Sequence, residues 1–383
     1  MLPMTLDARF PAISDLRARA RARLPRFVWE YLDSATGAEA TQARNRAALD
    51  RVVLRPSILH GEIAPDLSVE LLGRRHALPF GVAPVGMSGL IWPGAERRLA
   101  AAAAEAGLPY TLSTVATATP EEVGPEAGEN GWFQLYPPRD EDIRRDMLRR
   151  ARAAGFRTLV LTVDVPVASR RERQTRSGLT NPPRLTPRLA LQVAARPAWA
   201  LATARAGMPR MRTLDPYKEG LASGALPSNA HVGYLLRTSP DRDYLRWLRD
   251  NWEGPLVVKG VLGAEDAAML QAEGADAIWV SNHAGRQFDA APATIEALPA
   301  IRAATTLPVI LDGGVEGGLD MLRAIALGAD FVMMGRPWHY AIAALGADGP
   351  THLVDLLRKD LEANMGQLGA RDYGALPSRL VRD

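Results

Sequence analysis

The run Thr158-Leu159-Val160-Leu161-Thr162-Val163-Asp164 is apolar or β-branched throughout and then ends in a carboxylate. A continuous run of this kind reads as a strand buried on both faces, as in a parallel sheet, rather than a strand with one wet side. Before it stands a helix-forming stretch, Glu141–Ala154, closed by Gly155, which suits a left-handed C-cap. The alternation continues outward in both directions. Strand-like runs lie at Phe80–Pro84, Tyr110–Ser113, Trp132–Tyr136, Leu256–Lys259, Ala277–Ser281, Pro308–Leu311 and Phe331–Met334. Helix formers lie at Ala95–Ala106, Ala264–Glu273 and Leu319–Leu327, with glycine stops at Gly107, Gly274 and Gly328. Eight such units predict an α/β chain folded as a (β/α)8 TIM barrel.

A barrel of this type needs about 250 residues, and the chain has 383. The sequence is read as one domain over 1–383. It has an N-terminal helical extension over 1–78, with helices expected at Ile13–Leu32 and Ala38–Ala48, and a barrel over 79–345. A long insertion after strand four, over 165–255, is expected to form a lid or partner surface, and a C-terminal helix and tail occupy 346–383.

Hydrophobic residues make up 47% and charged residues 23%, a globular balance that excludes disordered and collagen-like chains. The absence of cysteine excludes a disulfide framework, a thiolate zinc site, an iron–sulfur cluster and a cysteine nucleophile. No metal site is read. The net charge of +3 leans slightly toward anionic partners, but 43 acidic residues leave no nucleic-acid signature. Of the basic residues only Lys218, Lys259 and Lys359 are lysine, so a single arginine says little and a lysine is worth watching. Met1–Phe10 lacks the pattern of a signal peptide, and no apolar run reaches the ~18 residues of a spanning helix. The expected location is cytoplasmic, with the inner face of the plasma membrane as a peripheral alternative.

That alternative comes from 184–212, which holds six arginines and no acidic residue among Leu, Ala, Val, Trp199 and Met. It reads first as a solvated basic loop. A surface-lying amphipathic segment touching anionic lipid and a subunit contact are the other two readings. Pro187, Pro197 and Pro209 break any long helix there and weaken the lipid reading.

In a barrel the chemistry sits at the C-terminal ends of the strands. Strands one to four deliver Pro84-Val85-Gly86, Ser113-Thr114, Gln134 with Tyr136, and Thr162 with Asp164. Strands five to eight deliver Lys259, Ser281-Asn282-His283 followed by Gly285-Arg286, Asp312-Gly313-Gly314 and Gly335-Arg336. Polar or small residues at all eight ends indicate a large ligand across the mouth. Glycine-rich turns after strands seven and eight suit a phosphate held by backbone N–H groups, with Arg336 as a charged donor. His283, with Asp164 available from another strand end, is expected to be a base whose basicity the carboxylate raises. Lys259 suggests fixed positive charge beside a group that becomes negative.

The runs Phe133-Gln134-Leu135-Tyr136, Leu161-Thr162-Val163-Asp164, Ser169-Arg170-Arg171-Glu172, Val258-Lys259-Gly260, Ser281-Asn282-His283-Ala284-Gly285-Arg286-Gln287, Leu311-Asp312-Gly313-Gly314 and Gly335-Arg336-Pro337 resemble the FMN-dependent 2-hydroxy acid dehydrogenase/oxidase family. That family includes glycolate oxidase, lactate oxidase and mandelate dehydrogenase, and the similarity spans nearly the whole chain. The resemblance implies FMN as cofactor and oxidation of an L-2-hydroxy acid, lactate- or mandelate-like, to the 2-oxo acid. His283 would take a proton, Asp164 would support the imidazolium, and Arg171 and Arg286 would clamp the substrate carboxylate. Tyr31 and Tyr136 would hydrogen-bond the substrate. Pro84, Val85, Gly86, Ser113, Gln134 and Thr162 would face the flavin ring, with Lys259 at its N1/O2 edge. Ser281 and Asp312 would serve the cofactor and ribityl chain, and Gly313, Gly314, Gly335 and Arg336 the phosphate. The family is often tetrameric, so a homo-tetramer or other homo-oligomer is expected.

Four departures qualify the resemblance. Glu316 stands where the family usually has an arginine reaching the phosphate, so the expectation is either weaker FMN binding or a side chain turned away from the phosphate. Ala284 replaces the commoner Gly and Phe288 the commoner Leu, and Val115 stands where glycolate oxidases carry a bulky Trp. Gly86 and the arginine-rich insertion resemble the membrane-associated dehydrogenases more than the oxidases. The alternatives are a related flavoenzyme acting on an amine or peptide-derived group, a flavin-free barrel retained as a binding protein, and a non-redox barrel enzyme. Oxygen, quinone and cytochrome all stay open as electron acceptors.

Overall fold

The computed structural model describes residues 5–179, 186–217 and 238–381. Arg184 and Leu185 of the basic stretch, and parts of 165–255, therefore lie outside the described residues. The barrel strands are β1 (Phe80–Val82), β2 (Tyr110–Ser113), β3 (Gly131–Leu135), β4 (Thr158–Thr162), β5 (Leu256–Val261), β6 (Ala277–Val280), β7 (Val309–Leu311) and β8 (Phe331–Met334). They pair in chain order, and β8 closes in parallel on β1, with Val332 opposite Phe80. The expected runs and the observed strands differ by a residue or two at their ends, as fraying termini do. The glycine stops take the left-handed conformation foreseen for them, for example Gly155 at φ 93° and Gly328 at φ 108°.

The N-terminal extension departs from expectation in two ways. The single helix expected over Ile13–Leu32 is two helices, Ile13–Arg23 and Arg26–Asp33, because Leu24 precedes Pro25 and is extended at ψ 142°. The second expected helix is observed as Ala40–Arg51. The extension is also not wholly helical. Val69–Leu71 and Arg74–His76 pair as an antiparallel hairpin through Leu72-Gly73, both at positive φ, the geometry of a type I′ turn. Leu71 of this hairpin packs with Trp132, Trp279 and Phe331 in the barrel interior and plugs the end opposite the strand C-termini. This burial, rather than strand length, holds the hairpin.

Pro187 and Pro197 each open a helix, Pro187–Ala194 and Pro197–Ala206, taking the first position where no N–H is needed. The insertion docks on the barrel through Trp199, whose Nε1 donates to Leu90 O at 3.1 Å, and through Arg212 N, which donates to Ala116 O. Among the described residues no helix is long and apolar enough to cross a membrane.

Candidate active site

Register places the polar strand ends at one level: Ser113 opposite Gln134, and Thr162 opposite Lys259. A cavity of about 880 Å³ opens above them. Tyr31, Tyr136, Arg171, His283 and Arg286 line it on the substrate side of the expected map. Pro84, Val85, Gly86, Lys259, Asp312, Gly313, Gly314, Gly335 and Arg336 line the rest. Ser113, Gln134, Thr162 and Ser281 are buried at the strand ends rather than in the cavity wall.

His283 Nδ1 is 3.1 Å from both carboxylate oxygens of Asp164. Burial is the largest influence on the imidazole and holds its pKa below the ordinary value, with Asp164 opposing and Lys259 adding to the effect. The carboxylate was expected to raise the basicity; burial outweighs it, so the ring is a neutral base at neutral pH. Burial also pushes Asp164 up, but His283 and Lys259 outweigh that and hold the carboxyl below its usual range.

Lys259 Nζ donates to Ser281 Oγ at 2.6 Å and pairs with Asp312 at 3.1 Å. Ser281 Oγ donates to Asp312 at 2.7 Å, and Trp279 Nε1 reaches the same carboxylate at 3.0 Å. This buried chain fixes the lysine head at the mouth.

Arg286 and Arg336 converge on the C-terminus of the helix Arg26–Asp33. Arg286 donates to Ser34 O at 2.6 Å and Tyr31 O at 2.9 Å, and Arg336 donates to Ser34 O at 3.0 Å. Unpaired helix carbonyls are natural partners for such cations. Arg171 is freer, with one bond from Nε to Ser169 Oγ at 3.3 Å. Burial first, then Arg171 and Arg336, drive the Arg286 pKa well below its ordinary value. Burial raises both Tyr31 and Tyr136, so both hydroxyls stay protonated donors. Five arginines line the one cavity, Arg171, Arg286 and Arg336 among them, an arrangement that seeks anions.

Several contributors were not legible in sequence. Ser34 and the carbonyls around it had no signal, and Met211 enters the cavity from the insertion. The amides of Asn45 and Asn282 pair reciprocally at 2.8 and 2.9 Å behind the β6 turn. Ala284 takes φ 51°, a conformation glycine adopts freely, while Phe288 is 66% exposed. Val115 and Glu316 line the cavity, as do Gly314 and Arg336.

A cofactor with a flat polar ring and a phosphate fits this cavity. Gln134 Oε1 accepts from Ser113 Oγ at 3.0 Å, yet its Nε2 is buried with no partner, as is Thr162 Oγ1 one strand away. Buried donors without partners are uncommon and point to a ligand. Gly313 and Gly314, at φ 102° and 81°, leave the β7 turn backbone open to an anion.

Fold and cavity together define a barrel enzyme built around an anionic, ring-bearing cofactor. A family model described as FMN-dependent dehydrogenase matches residues 20–383, and the chain belongs to that family. Among curated relatives, the L-lactate dehydrogenase of Caulobacter vibrioides is 42% identical over 373 residues, covering 97% of each chain. The L-lactate dehydrogenase of Ectopseudomonas mendocina is 40% identical over 97% of this chain and 98% of its own. A solved (S)-mandelate dehydrogenase, described as a monotopic membrane protein, superimposes with a TM-score of 0.90 at 34% identity, covering 97% of this chain and 99% of its own. A mandelate oxidase superimposes with a TM-score of 0.80 at 34% identity, covering 97% and 98%. FMN is the cofactor of this chain's family, and the (β/α)8 barrel expected from sequence is the fold observed.

Proposed function

We propose that this chain is a dehydrogenase that oxidises an L-2-hydroxy acid to the 2-oxo acid, with His283 as base. The observation that carries the reading is His283, backed by Asp164, in the same cavity as Arg171, Arg286 and Arg336. The reaction class is FMN-dependent oxidation of a 2-hydroxy acid, in keeping with relatives named for lactate and mandelate.

Arg171 gives the substrate carboxylate its main fork, because its donors are least engaged. Arg286 adds fixed charge from its seat on the helix carbonyls. Tyr136, held protonated, donates to the carboxylate or the hydroxyl, whereas Tyr31 OH, which donates to Gly86 O at 2.8 Å, would have to turn from that carbonyl to do so. His283 keeps its proton on Nδ1 toward Asp164, which leaves Nε2 to take the substrate proton, and Asp164 stabilises the resulting cation. When bound, FMN would supply the redox chemistry, as acceptor of the two electrons that leave the substrate.

Pro84, Val85, Gly86, Ser113, Gln134 and Thr162 would support the ring, and Lys259 would offset the charge that the ring gains on reduction. Ser281 and Asp312 serve the ribityl side, and Gly313, Gly314, Gly335 and Arg336 the phosphate. Val115 leaves room for a side chain larger than that of glycolate. The chain works as one unit over 1–383 and as a homo-oligomer, a tetramer being the state to test by light scattering. Exposed Ile58 and Leu59, at 81% and 99%, support an assembly that covers them.

Leu191, Leu201 and Met208 are exposed beside Arg188, Arg196 and Arg205, which supports peripheral contact with an anionic membrane. Sedimentation with anionic vesicles, lost in L191E/L201E, tests that contact. The activity is tested by anaerobic titration of the purified flavoprotein. Bleaching of the flavin by L-lactate or L-mandelate is expected, and no bleaching across a panel of L-2-hydroxy acids overturns the reading.

A further inference from the structure

His339 and Ser88 lie behind the cavity wall, not in it. Both are buried, at 1% and 2% exposure. His339 sits on the helix Arg336–Leu345 that starts at the β8 turn, and Ser88 opens the short helix Ser88–Ile91 after the β1 loop. His339 Nε2 is 2.7 Å from Ser88 Oγ, and its Nδ1 is 2.8 Å from Gly335 O. Ser88 Oγ is also 2.9 Å from Val85 O. One imidazole and one hydroxyl thus tie Gly335, which lines the cavity, to the residue that follows the β1 loop, whose Val85 and Gly86 line it too.

The proton placement follows from chemistry. Burial pushes the His339 pKa down to about 4, so the ring is neutral and carries one N–H. Gly335 O can only accept, so the hydrogen is on Nδ1. Nε2 is then an acceptor, and the Ser88 hydroxyl gives it its one hydrogen, so Val85 O is a close neighbour of that oxygen and not its acceptor. The β1 loop needs such a fastening. Met87 adopts φ 53°, which an L side chain rarely takes, and Gly86 O is held from the opposite side by Tyr31 OH at 2.8 Å. The two loops are already close: a Cβ on Gly335 would stand 3.1 Å from Val85 Cγ2.

We propose that Ser88 and His339 are a positioning pair that locks the β1 loop to the β8 turn and thereby sets how tightly FMN is held. The inference rests on the cavity being the FMN site. The test is FMN release from the full-length holoprotein on dilution, followed by flavin fluorescence, with the melting temperature of each variant measured alongside. Ser88→Ala and His339→Asn should each raise the FMN dissociation constant about 5- to 10-fold, the loss of one buried hydrogen bond. The double variant should be no weaker than the weaker single, since both cut one link. His339→Gln, whose amide oxygen can accept from Ser88 in place of Nε2, should stay within about threefold of wild type. A Ser88→Ala dissociation constant within about twofold of wild type, additive single effects, or failure of His339→Gln to restore affinity each overturns the proposal. A wild-type chain that takes up no FMN overturns the cofactor reading as well, and so separates the two failures.

Discussion

The Asp164 carboxylate reaches His283 Nδ1 at 3.1 Å, and it can do so because its neighbour across the strands is Gly260. A Cβ at 260, where φ is +109°, would come within 2.7 Å of Asp164 Cβ and push the carboxylate off the imidazole. His283 itself holds φ 54° and is followed by Ala284 at φ 51°. Its backbone N–H donates to Ser281 Oγ at 3.1 Å, the hydroxyl that also accepts from Lys259. The imidazole, the carboxylate and the lysine therefore form one connected unit.

His283→Asn should leave FMN bound and abolish reduction by substrate in anaerobic stopped flow. Asp164→Asn should slow reduction by roughly 10²- to 10⁴-fold, the usual scale of a general base and its support. The base must be neutral to work, and its pKa lies below the ordinary imidazole value. The reduction rate should therefore stay flat as pH falls to about 6.5 and drop only on further acidification. A loss beginning well above pH 7 would contradict the assignment.

Arg171 and Arg286 should fail differently. Arg171→Met removes a loosely tethered donor and should raise KM about 10- to 100-fold with little change in melting temperature. Arg286→Met also strips Tyr31 O of its donor and leaves Leu32 O and Ser34 O to Arg336 alone. It should lower both activity and melting temperature. Equal thermal stability in the two variants would show that the helix carbonyls do not depend on Arg286.

Glu316 lines the same cavity as Gly314 and Arg336. It is solvent-exposed, so its repulsion of a phosphate is screened. Glu316→Arg should tighten FMN binding by about 3- to 10-fold, less than a buried charge reversal would give. Flavin fluorescence on dilution measures it, and weaker binding in the variant would place the phosphate elsewhere.

Acid stability provides a fourth check. Burial lowers the pKa of His76, His283 and His339, the last from 6.5 to about 4. Between those values the unfolded chain binds more protons than the native one, so stability rises with pH across the window and falls as pH drops from about 6.5 to 4. For His339 the full shift corresponds to about 3 kcal/mol. His339→Gln should flatten the fall of melting temperature across this window, while an unchanged slope would mean the ring titrates normally.

Much of the site could be read from residues alone because strand ends announce themselves. Val160-Leu161-Thr162-Val163-Asp164 says both where a buried strand runs and what it delivers. Lys259 is conspicuous among arginines, and His283 follows a buried strand directly. The partners of those groups were less legible. Nothing near Arg286 or Arg336 in sequence says that both donate to Ser34 O, some 250 and 300 residues away. The hairpin Val69–His76 was missed because its strands are three residues each, too short for alternation to show. The long helix expected over Ile13–Leu32 ignored Pro25, a signal that was present.

Sequence by itself determined the eight-unit barrel, the end of it that bears the chemistry and the residue types gathered there, because apolar runs, glycine caps and strand termini are local properties written in order along the chain. Only the tertiary structure decided which of those groups are free and which are engaged, and which way burial moves the His283 proton affinity. Both depend on how closely distant segments approach when the ring of strands closes, and desolvation is a property of that enclosure rather than of any residue.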